Sequence, residues 1–205
     1  MSPLIKITKE EVNTLPLEAY EGPVTLVESP SSLAAALKDL RRETVLGFDT
    51  ESRPAFKKGQ NYQASLIQLA GESCVWLFQI KKLPTLDGLW KLLADGEIIK
   101  AGVAIADDIK KLRDLQDFQP RGFVEIADLT QQAGILNTGL RSLTGLLLNF
   151  RISKRAQVSN WARSDLSEAQ VQYAATDAWV SRCLYLHMLD LGNRAGSLQP
   201  GSASA

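Results

Sequence analysis

The 205-residue chain has few cysteines and no long apolar run, and both absences narrow the classes of protein it can belong to. Its two cysteines, Cys74 and Cys183, have no metal-type or redox-type spacing, so we expect buried, reduced thiols, as in a cytosolic protein. No apolar run is long enough to cross a bilayer, and the N-terminus has no basic stretch followed by an apolar one. The sequence therefore predicts a cytoplasmic protein with no membrane partner.

The chain also lacks an excess of charge of either sign. Lysine and arginine together number 23, and aspartate and glutamate also number 23, so the formal net charge is zero. A neutral molecule has no broad cationic field with which to wrap long nucleic acid. Any such partner has to be held by local basic clusters or through a metal ion.

The order of apolar segments predicts an α/β domain with a mixed sheet, because successive strands come first and strands then alternate with helices. Predicted strands lie at 24–27, 44–48, 64–70, 74–78, 98–105 and 123–127, and predicted helices at 33–40, 86–93, 109–115, 140–147 and 167–191. Residues 1–23 are interpreted as an N-terminal extension, 24–191 as the domain, and 192–205 as a disordered tail rich in Gly, Ser, Ala and Pro.

Four helix starts carry capping signals, in which a side-chain oxygen accepts a hydrogen bond from a free backbone amide. The predicted caps, in chain order, are Thr8 with Glu11, Ser31 or Ser32, Asp128, and Ser167 with Gln170.

An Asp-x-Glu triplet at the end of a short apolar run is the first candidate functional feature. The run Val45-Leu46-Gly47-Phe48 has the composition of a buried strand, and strand alternation places Asp49 and Glu51 on one face. Two carboxylates at the open end of a strand repel each other unless a cation lies between them. Hard divalent cations such as Mg²⁺ take oxygen ligands of this kind, often together with substrate phosphate. The alternative is an ordinary solvated strand end or a helix cap.

Two further segments supply acids where elements of structure meet. Asp107 and Asp108 follow the strand-like run at 98–105 and open a helix, where acids either satisfy free amides or reach a neighbouring site. Tyr173 and Asp177 lie four residues apart on the last predicted helix, so they share one face. The alternative for this pair is core packing of the tyrosine and solvation of the aspartate.

Together these acids predict a cluster that holds two Mg²⁺ or Mn²⁺ ions about 4 Å apart across a phosphodiester. One ion lowers the pKa of an attacking water, and the other stabilises the leaving oxygen. Tyr173 is better suited to orient that water by a hydrogen bond than to remove its proton, because the ordinary pKa of a tyrosine is about 10.

Three motifs occur in the order 48–51, 100–112 and 173–178. They are Phe48-Asp49-Thr50-Glu51, Lys100-Ala101-Gly102-Val103-x-Ile105-x-x-Asp108 with Leu112, and Tyr173-Ala174-Ala175-Thr176-Asp177-Ala178. With supporting matches at 66–69, 123–128 and 159–161, the chain resembles the four-carboxylate (DEDD) 3′–5′ exonucleases over about residues 24–189. Within that superfamily it is most similar to the Werner-type exonuclease domain and next to ribonuclease D. The resemblance implies the ribonuclease-H-like fold, a mixed β-sheet flanked by helices.

The resemblance also implies a role for each acid. Asp49 bridges both ions, Glu51 and Asp177 complete the first, and Asp108 holds the second, partly through water. The family spacing selects Asp108 over Asp107, which is left as a helix cap. The implied reaction removes nucleoside 5′-monophosphates from a single-stranded or frayed 3′ end.

The last motif assigns the chain to one branch of the superfamily. The histidine branch has a histidine five residues before the last aspartate, and here that residue is Gln172. The one histidine, His187, lies ten residues beyond Asp177, so the chain resembles the tyrosine branch.

The sequence leaves more than one substrate, and one non-catalytic function, open. The sequence shows no appended helical domain of the kind that ribonuclease D uses for RNA, which favours DNA over ribonuclease D-like processing of RNA 3′ ends. A non-catalytic nucleic-acid-binding module on the same fold is a further alternative, although all four acids and the tyrosine are present. Helicase motifs and a Gly-rich phosphate loop are absent, so unwinding of a duplex requires a separate helicase partner.

Candidate contacts to the nucleic acid are mostly basic residues in predicted loops beside the acids. They are Thr50, Lys57, Lys58, Lys110, Lys154, Arg155 and Trp161. Basic clusters of this kind are otherwise solvated faces. Lys110 stands where some Werner-type relatives have an aromatic residue, so we expect a phosphate contact there in place of stacking. Trp161 either stacks on a base or anchors its loop in the core.

Overall fold

The computed structural model describes residues 5–57 and 59–197. In these residues the strands are β1 (Val24–Val27), β2 (Val45–Ser52), β3 (Ala64–Ala70), β4 (Val75–Gln79), β5 (Ile99–Gly102) and β6 (Phe123–Glu125). The helices are α1 (Lys9–Thr14), α2 (Pro30–Leu40), α3 (Asp87–Leu93), α4 (Ala106–Leu115), α5 (Ile126–Gln132), α6 (Leu140–Leu148) and α7 (Glu168–Ser197).

The six strands form one mixed sheet in the order β1-β4-β3-β2-β5-β6. β2, β3 and β4 pair antiparallel, whereas β1 is parallel to β4, and β2, β5 and β6 are parallel to one another. β5 pairs with β2 only as far as Gly47, and β3 pairs with β2 as far as Ser52. The C-terminal half of β2 therefore has a strand on one side and, where β5 has given way to α4, an open position on the other.

Helices cover both faces of the sheet. On one face α2, α3 and α4 pack on large residues such as Phe48 and Phe78. On the other face α7 lies across the centre of the sheet, with α5 and α6 beside it over β5. The predicted fold class, an α/β domain with a mixed sheet flanked by helices, is confirmed.

Four strands differ from their predicted bounds. β4 is shifted by one residue, β6 ends at Glu125 because α5 begins at Ile126, and β2 and β5 differ for the following reasons. β2 does not end at Phe48 but continues to Ser52, because residues 49–51 pair with 66–68 of β3. The segment 98–105 is not one strand, since β5 ends at Gly102 and Ala104 turns through a positive φ of 60° before α4 begins.

The two predicted capping boxes form, and the other caps differ. Ser29 caps α2, in place of Ser31 or Ser32, because Pro30 occupies the first turn, where its missing N–H is tolerated. Glu125 caps α5, so Asp128 lies in the first turn. Asp107 is likewise a first-turn residue of α4, whose N-cap Ile105 has no side-chain cap.

The N-terminal residues of the described chain pack on the domain. Ile5 forms a β-bridge with Ile135, Leu17 bridges Arg151, and α1 packs against α6. The prediction of a disordered tail from residue 192 is wrong for 192–197, which are the last residues of α7. Residues 198–205 lie outside the described part. None of the helices in that part has the length and apolar composition needed to span a membrane.

Candidate active site

A glycine in β2 brings α7 onto the sheet beside the acids. Alternate residues of β2 face α7, and these include Gly47, Asp49 and Glu51. A methyl group at Gly47 would overlap the backbone carbonyl oxygen of Ala178, so any larger residue would push the helix away. This close approach places Asp177 against the C-terminal half of β2.

Three carboxylates meet at this point. One ligand oxygen from each of Asp49, Glu51 and Asp177 lies within 4.8 Å of the others. Asp177 is 5% exposed, and its Oδ1 atom has no hydrogen-bond partner among the described residues. The structure thus brings together three of the four predicted acids, which come from two elements more than 120 residues apart in sequence.

Burial and mutual repulsion shift the pKa values of this cluster upward. Burial raises the pKa of Asp49 well above its ordinary range, and the charges of Asp177 and Glu51 add to the effect. Burial and the charge of Asp177 raise the pKa of Glu51 to about 9. Burial raises the pKa of Asp177 to about 7, against a hydrogen bond from Tyr173 that lowers it. Keeping these carboxylates ionised and close together therefore costs free energy, and a bound cation would reduce that cost.

Asp108 reaches the cluster from the other face of the sheet. It is the third residue of α4, and the Thr50 hydroxyl donates a hydrogen bond of 2.5 Å to its Oδ1 atom. Burial raises the pKa of Asp108, and its charge in turn raises those of Asp49 and Glu51. Asp108 is thus a neighbour of the three-carboxylate group, in the open position beside β2, rather than part of it.

Tyr173 is held over the acids from two sides. Its hydroxyl donates a hydrogen bond to the Asp177 carboxylate, and its ring centroid lies 5.9 Å from that of Trp161. Burial raises the pKa of Tyr173, and the charge of Asp177 adds to the effect. Trp161 is 1% exposed, so in this structure its ring is covered by the core. The alternative given for Trp161, an anchor in the core, describes its position.

The donor set fits divalent cations. Four carboxylates and no nitrogen or sulfur ligand are what hard cations such as Mg²⁺ or Mn²⁺ take. Among the described residues, no lysine or arginine forms an ion pair with any of the four acids. The Oδ1 atom of Asp177 is buried and accepts no hydrogen bond from the described residues, so it is available as a metal ligand.

A cavity with basic residues opens next to the acids. It has a volume of about 260 Å³ and is lined by Tyr173 and Asp177 on one side and by Arg141, Lys154 and Gln157 on the other. Arg155 lines an adjoining cavity of about 240 Å³ that also reaches Tyr173. Two of the predicted nucleic-acid contacts, Lys154 and Arg155, therefore do lie at the site.

The remaining predicted contacts are placed differently. Thr50 is 7% exposed and its hydroxyl is used by Asp108, so it lies behind the acids. Lys110 is exposed on the outer side of α4, in a groove that contains none of the four acids. Lys57 is exposed in the loop after β2, and Lys58 lies outside the described residues.

Lys111, rather than Lys110, is the α4 lysine that faces the acids. Its Nζ atom donates to Ser52 Oγ at 3.3 Å, and its charge lowers the pKa values of Glu51 and Asp108. The signal for it was present in the sequence, since a residue three positions after Asp108 shares its helix face.

Gln68 is a second site residue that the sequence pattern did not single out. It pairs with Asp49 across β2 and β3, has no exposed area, and neither amide atom has a hydrogen-bond partner within the described part of the chain. Its position depends on strand register, which the local sequence around Gln68 does not reveal.

Solved structures place this architecture in a known class. The Nibbler EXO domain of Aedes aegypti superposes with a TM-score of 0.79 at 24% identity, covering 87% of this chain and 94% of that one. At this identity the match concerns the fold, which is that of ribonuclease-H-like exonuclease domains.

The sequence comparisons then identify the family. Residues 24–192 match the model described as 3′–5′ exonuclease, and the chain belongs to this family of hydrolases. It is 32% identical over 195 residues to the bifunctional 3′–5′ exonuclease/ATP-dependent helicase WRN of Mus musculus, covering 89% of this chain and 14% of that protein. It is 33% identical over 180 residues to ribonuclease D of Granulibacter bethesdensis, covering 85% of this chain and 44% of that protein. The chain thus spans less than half the length of both relatives.

Proposed function

We propose that the protein hydrolyses phosphodiester bonds from the 3′ end of a nucleic acid, with DNA as the preferred substrate, and releases nucleoside 5′-monophosphates. The observation that carries the proposal is the convergence of Asp49, Glu51 and Asp177 within 4.8 Å, with Asp108 beside them. Membership of the 3′–5′ exonuclease family supports the reaction and its dependence on a divalent metal. The preference for DNA is the expectation drawn from the sequence.

In the proposed mechanism the four acids hold two Mg²⁺ or Mn²⁺ ions. Glu51 and Asp177 would hold one ion, Asp108 would hold the other, and Asp49 would be a ligand of both. When bound, the ions supply a water of lowered pKa and positive charge beside the phosphodiester. Lys111, on the same side of α4 as Asp108, adds a fixed cation at the rim of the cluster.

We assign to Tyr173 the role of orienting the attacking water. Its hydroxyl lies at the edge of the cluster, bonded to Asp177, and Trp161 packs against its ring. A hydroxyl held in this way can donate to or accept from a water without changing its own protonation, because the ordinary pKa of tyrosine is about 10. Orientation of this kind lowers the entropic part of the barrier.

The proposed path of the strand passes over the acids and along the basic cavity. Lys154 and Arg155 are both exposed, and each lines a cavity that reaches Tyr173. Lysine and arginine on this side would contact the phosphates of a single-stranded or frayed 3′ end. The sequence has no helicase motif, so we propose that a separate helicase supplies the single strand.

RNA 3′ ends are the second candidate substrate, because a ribonuclease D is among the relatives at 33% identity. Incubation of 5′-labelled DNA and RNA single strands of matched sequence with Mg²⁺ or Mn²⁺ tests both. We expect a ladder of shortened strands and free 5′-monophosphates, with a faster rate on DNA. A faster rate on RNA would assign the ribonuclease D-like activity, and tight binding without cleavage under either metal would support the non-catalytic module.

The acids themselves are tested by removing two of them. We expect Asp49→Ala with Asp177→Ala to lower the rate by at least about a thousandfold, because cation chemistry of this type amounts to several kcal/mol of the barrier. Asp114→Ala with Asp117→Ala removes two exposed acids near the end of α4 and is the matched control, with an unchanged rate. Retention of activity in the first variant contradicts the assigned chemistry.

The basic cavity is tested through salt dependence. Lys154→Glu with Arg155→Glu should weaken binding of a single strand in EDTA and reduce the slope of log Kd against log salt by about 1.4, since each contact to a single strand contributes about 0.7. Lys38→Glu with Arg41→Glu makes the same change of charge at the end of α2, under the opposite face of the sheet. Equal slopes in the two variants refute the contact.

A further inference from the structure

The connection between β5 and α4 is an unusual piece of backbone. Ala104 has a φ of 60°, in the left-handed region that residues with a Cβ atom adopt at a cost. Ile105 is the N-cap of α4 and offers no side-chain cap to the free amides of the helix. Something other than the local sequence therefore has to hold this turn.

The Glu125 carboxylate holds it. Oε1 accepts hydrogen bonds from the backbone amides of Ala104, at 3.0 Å, and of Ala127, at 3.1 Å. Oε2 accepts from the amide of Ile105 at 2.9 Å. Glu125 ends β6 directly beside Gly102 of β5, so its side chain reaches past the end of the sheet to the turn. One carboxylate thus caps α5 and also secures the start of α4.

The secured turn lies just before Asp108. The chain passes in only four residues from Ala104 to Asp108, which is in the first turn of α4. The same turn is pressed onto β2, because a Cβ atom at Gly102 would lie 2.5 Å from the carbonyl oxygen of Phe48. Asp108 is then fastened to β2 by the hydrogen bond from Thr50. A change in the path of the backbone at 104–105 is therefore passed on to the Asp108 carboxylate.

We infer that Glu125 is a positioning residue for Asp108: by binding the amides of Ala104 and Ile105, it sets the start of α4 so that Asp108 faces the other three acids. This inference rests on the proposed function only in assigning Asp108 to a cation. Glu125 touches no substrate and is not a ligand.

A glutamine at position 125 separates this role from simple packing. Glutamine has the same shape, but it has one acceptor oxygen where glutamate has two, so an NH₂ group faces either Ile105 or the amides of Ala104 and Ala127. At least one of the three hydrogen bonds is lost without a cavity. The matched control is Glu43→Gln, since Glu43 accepts from the backbone amide of Glu72 at 3.0 Å in the turn between β3 and β4.

The experiment measures Mn²⁺ binding by titration calorimetry and by the rise in melting temperature with Mn²⁺, both of which are independent of activity. We expect Glu125→Gln to weaken Mn²⁺ binding about tenfold, the lower end of the effect seen when partners behind a metal ligand are changed. Glu43→Gln should bind as the wild type does. In an Asp108→Asn background, Glu125→Gln should have no further effect, because it acts through Asp108.

A compensating substitution keeps the test sharp if Glu125→Gln also lowers stability. Glycine adopts a positive φ readily, so Ala104→Gly relieves the turn of its strain. We expect Glu125→Gln with Ala104→Gly to bind Mn²⁺ within about threefold of the wild type.

Several results overturn the inference. These are Mn²⁺ binding by Glu125→Gln equal to that of Glu43→Gln, an additive loss in the Asp108→Asn background, or no recovery with Ala104→Gly. Failure of the proposed function looks different. In that case the wild type binds Mn²⁺ and responds to Glu125→Gln as described, but removes no nucleotides from a 3′ end.

Discussion

The two faces of the sheet are packed in opposite ways. Under α2, α3 and α4 the contacts are made by large side chains with no exposed area, such as Phe48, Phe78 and Leu89. Under α7, Leu66 and Leu77 are also fully buried, but the closest contacts are made by Gly47 and the alanines of the helix, so that backbone approaches backbone. The first face gains stability from buried apolar area, whereas the second gives up side-chain volume to bring acids together.

β2 contributes side chains both to the large-residue core and to the acid cluster. Its alternate side chains point to opposite sides, so Leu46 and Phe48 enter the large-residue core while Asp49 and Glu51 enter the site. Leu46 and Phe48 have no exposed area, so β2 is packed into the core on the side opposite the acids. Substitutions on the face under α7 should therefore change mainly the rate, and substitutions on the opposite face mainly the unfolding free energy.

Among the packing substitutions, the largest effect on the rate is expected from filling the space over Gly47, where α7 contacts the sheet. Gly47→Ala forces the Ala178 carbonyl away, which moves Asp177 relative to Asp49 and should lower the rate at least about a hundredfold, as displacements of about 1 Å do. The unfolding free energy should fall by about 1–3 kcal/mol. Steady-state rates and denaturant unfolding measure the two effects.

Gly192→Ala is the control on the same helix, because a Cβ atom at Gly192 meets no atom of residues 5–57 or 59–197 within 4 Å. We expect it to keep the rate and to gain stability from helix propensity. An active Gly47→Ala variant would show that the close approach is not needed.

A large-to-small substitution on the opposite face should do the reverse. Leu89 of α3 has no exposed area, and Leu89→Ala should cost about 2–5 kcal/mol of unfolding free energy through lost burial and the cavity left behind. The rate and the Mn²⁺ requirement of the folded protein should stay as in the wild type. Denaturant unfolding beside rates measured well below the transition tests this. A changed Mn²⁺ requirement would break the division between the faces.

The smallest effect concerns the pH dependence of stability without metal. The pKa of Glu51 is raised from 4.5 to about 9, so the folded state keeps a proton that the unfolded chain releases over this range. The resulting stability is fully present below pH 4.5 and is lost as the pH rises to about 9. Glu51→Gln lacks this loss, so in EDTA its melting temperature should exceed that of the wild type by an amount that grows with pH.

Thermal unfolding between pH 5 and pH 9 with EDTA measures this difference. Addition of Mn²⁺ should then raise the melting temperature of the wild type more than that of Glu51→Gln, because the variant has lost a ligand. A difference between the two proteins that stays constant with pH would contradict the assigned pKa.

Local patterns in the sequence were enough for the fold class and for the convergence of Asp49, Glu51 and Asp177. Short apolar segments gave the bounds of β1 and β3, and capping-box spacing gave the starts of α1 and α7. These signals depend on residues within a few positions of each other, which is why they can be read without the structure.

The errors arose where a distant partner decided the outcome. β2 continues past Phe48 because β3 pairs with it, and Glu125 rather than Asp128 caps α5 because the Glu125 carboxylate also serves the turn at Ala104. Trp161 lies in the core because Tyr173 packs against it. The choice of Lys111 over Lys110 as the lysine facing the acids could be made from the sequence, because residues three apart on a helix share one face.

The seating of α7 on Gly47 also has a mechanical consequence. The helix has 30 residues and, at a rise of about 1.5 Å each, is about 45 Å long, yet the Ala178 carbonyl rests in the notch over Gly47. Four residues further on, Arg182 Nε donates to the carbonyl oxygen of Val45 at 3.2 Å. Axial sliding by a single residue would require both fastenings to break. A displacement of the C-terminal end of α7 would therefore be resisted by these two contacts with β2 before it changed the distances between the acids.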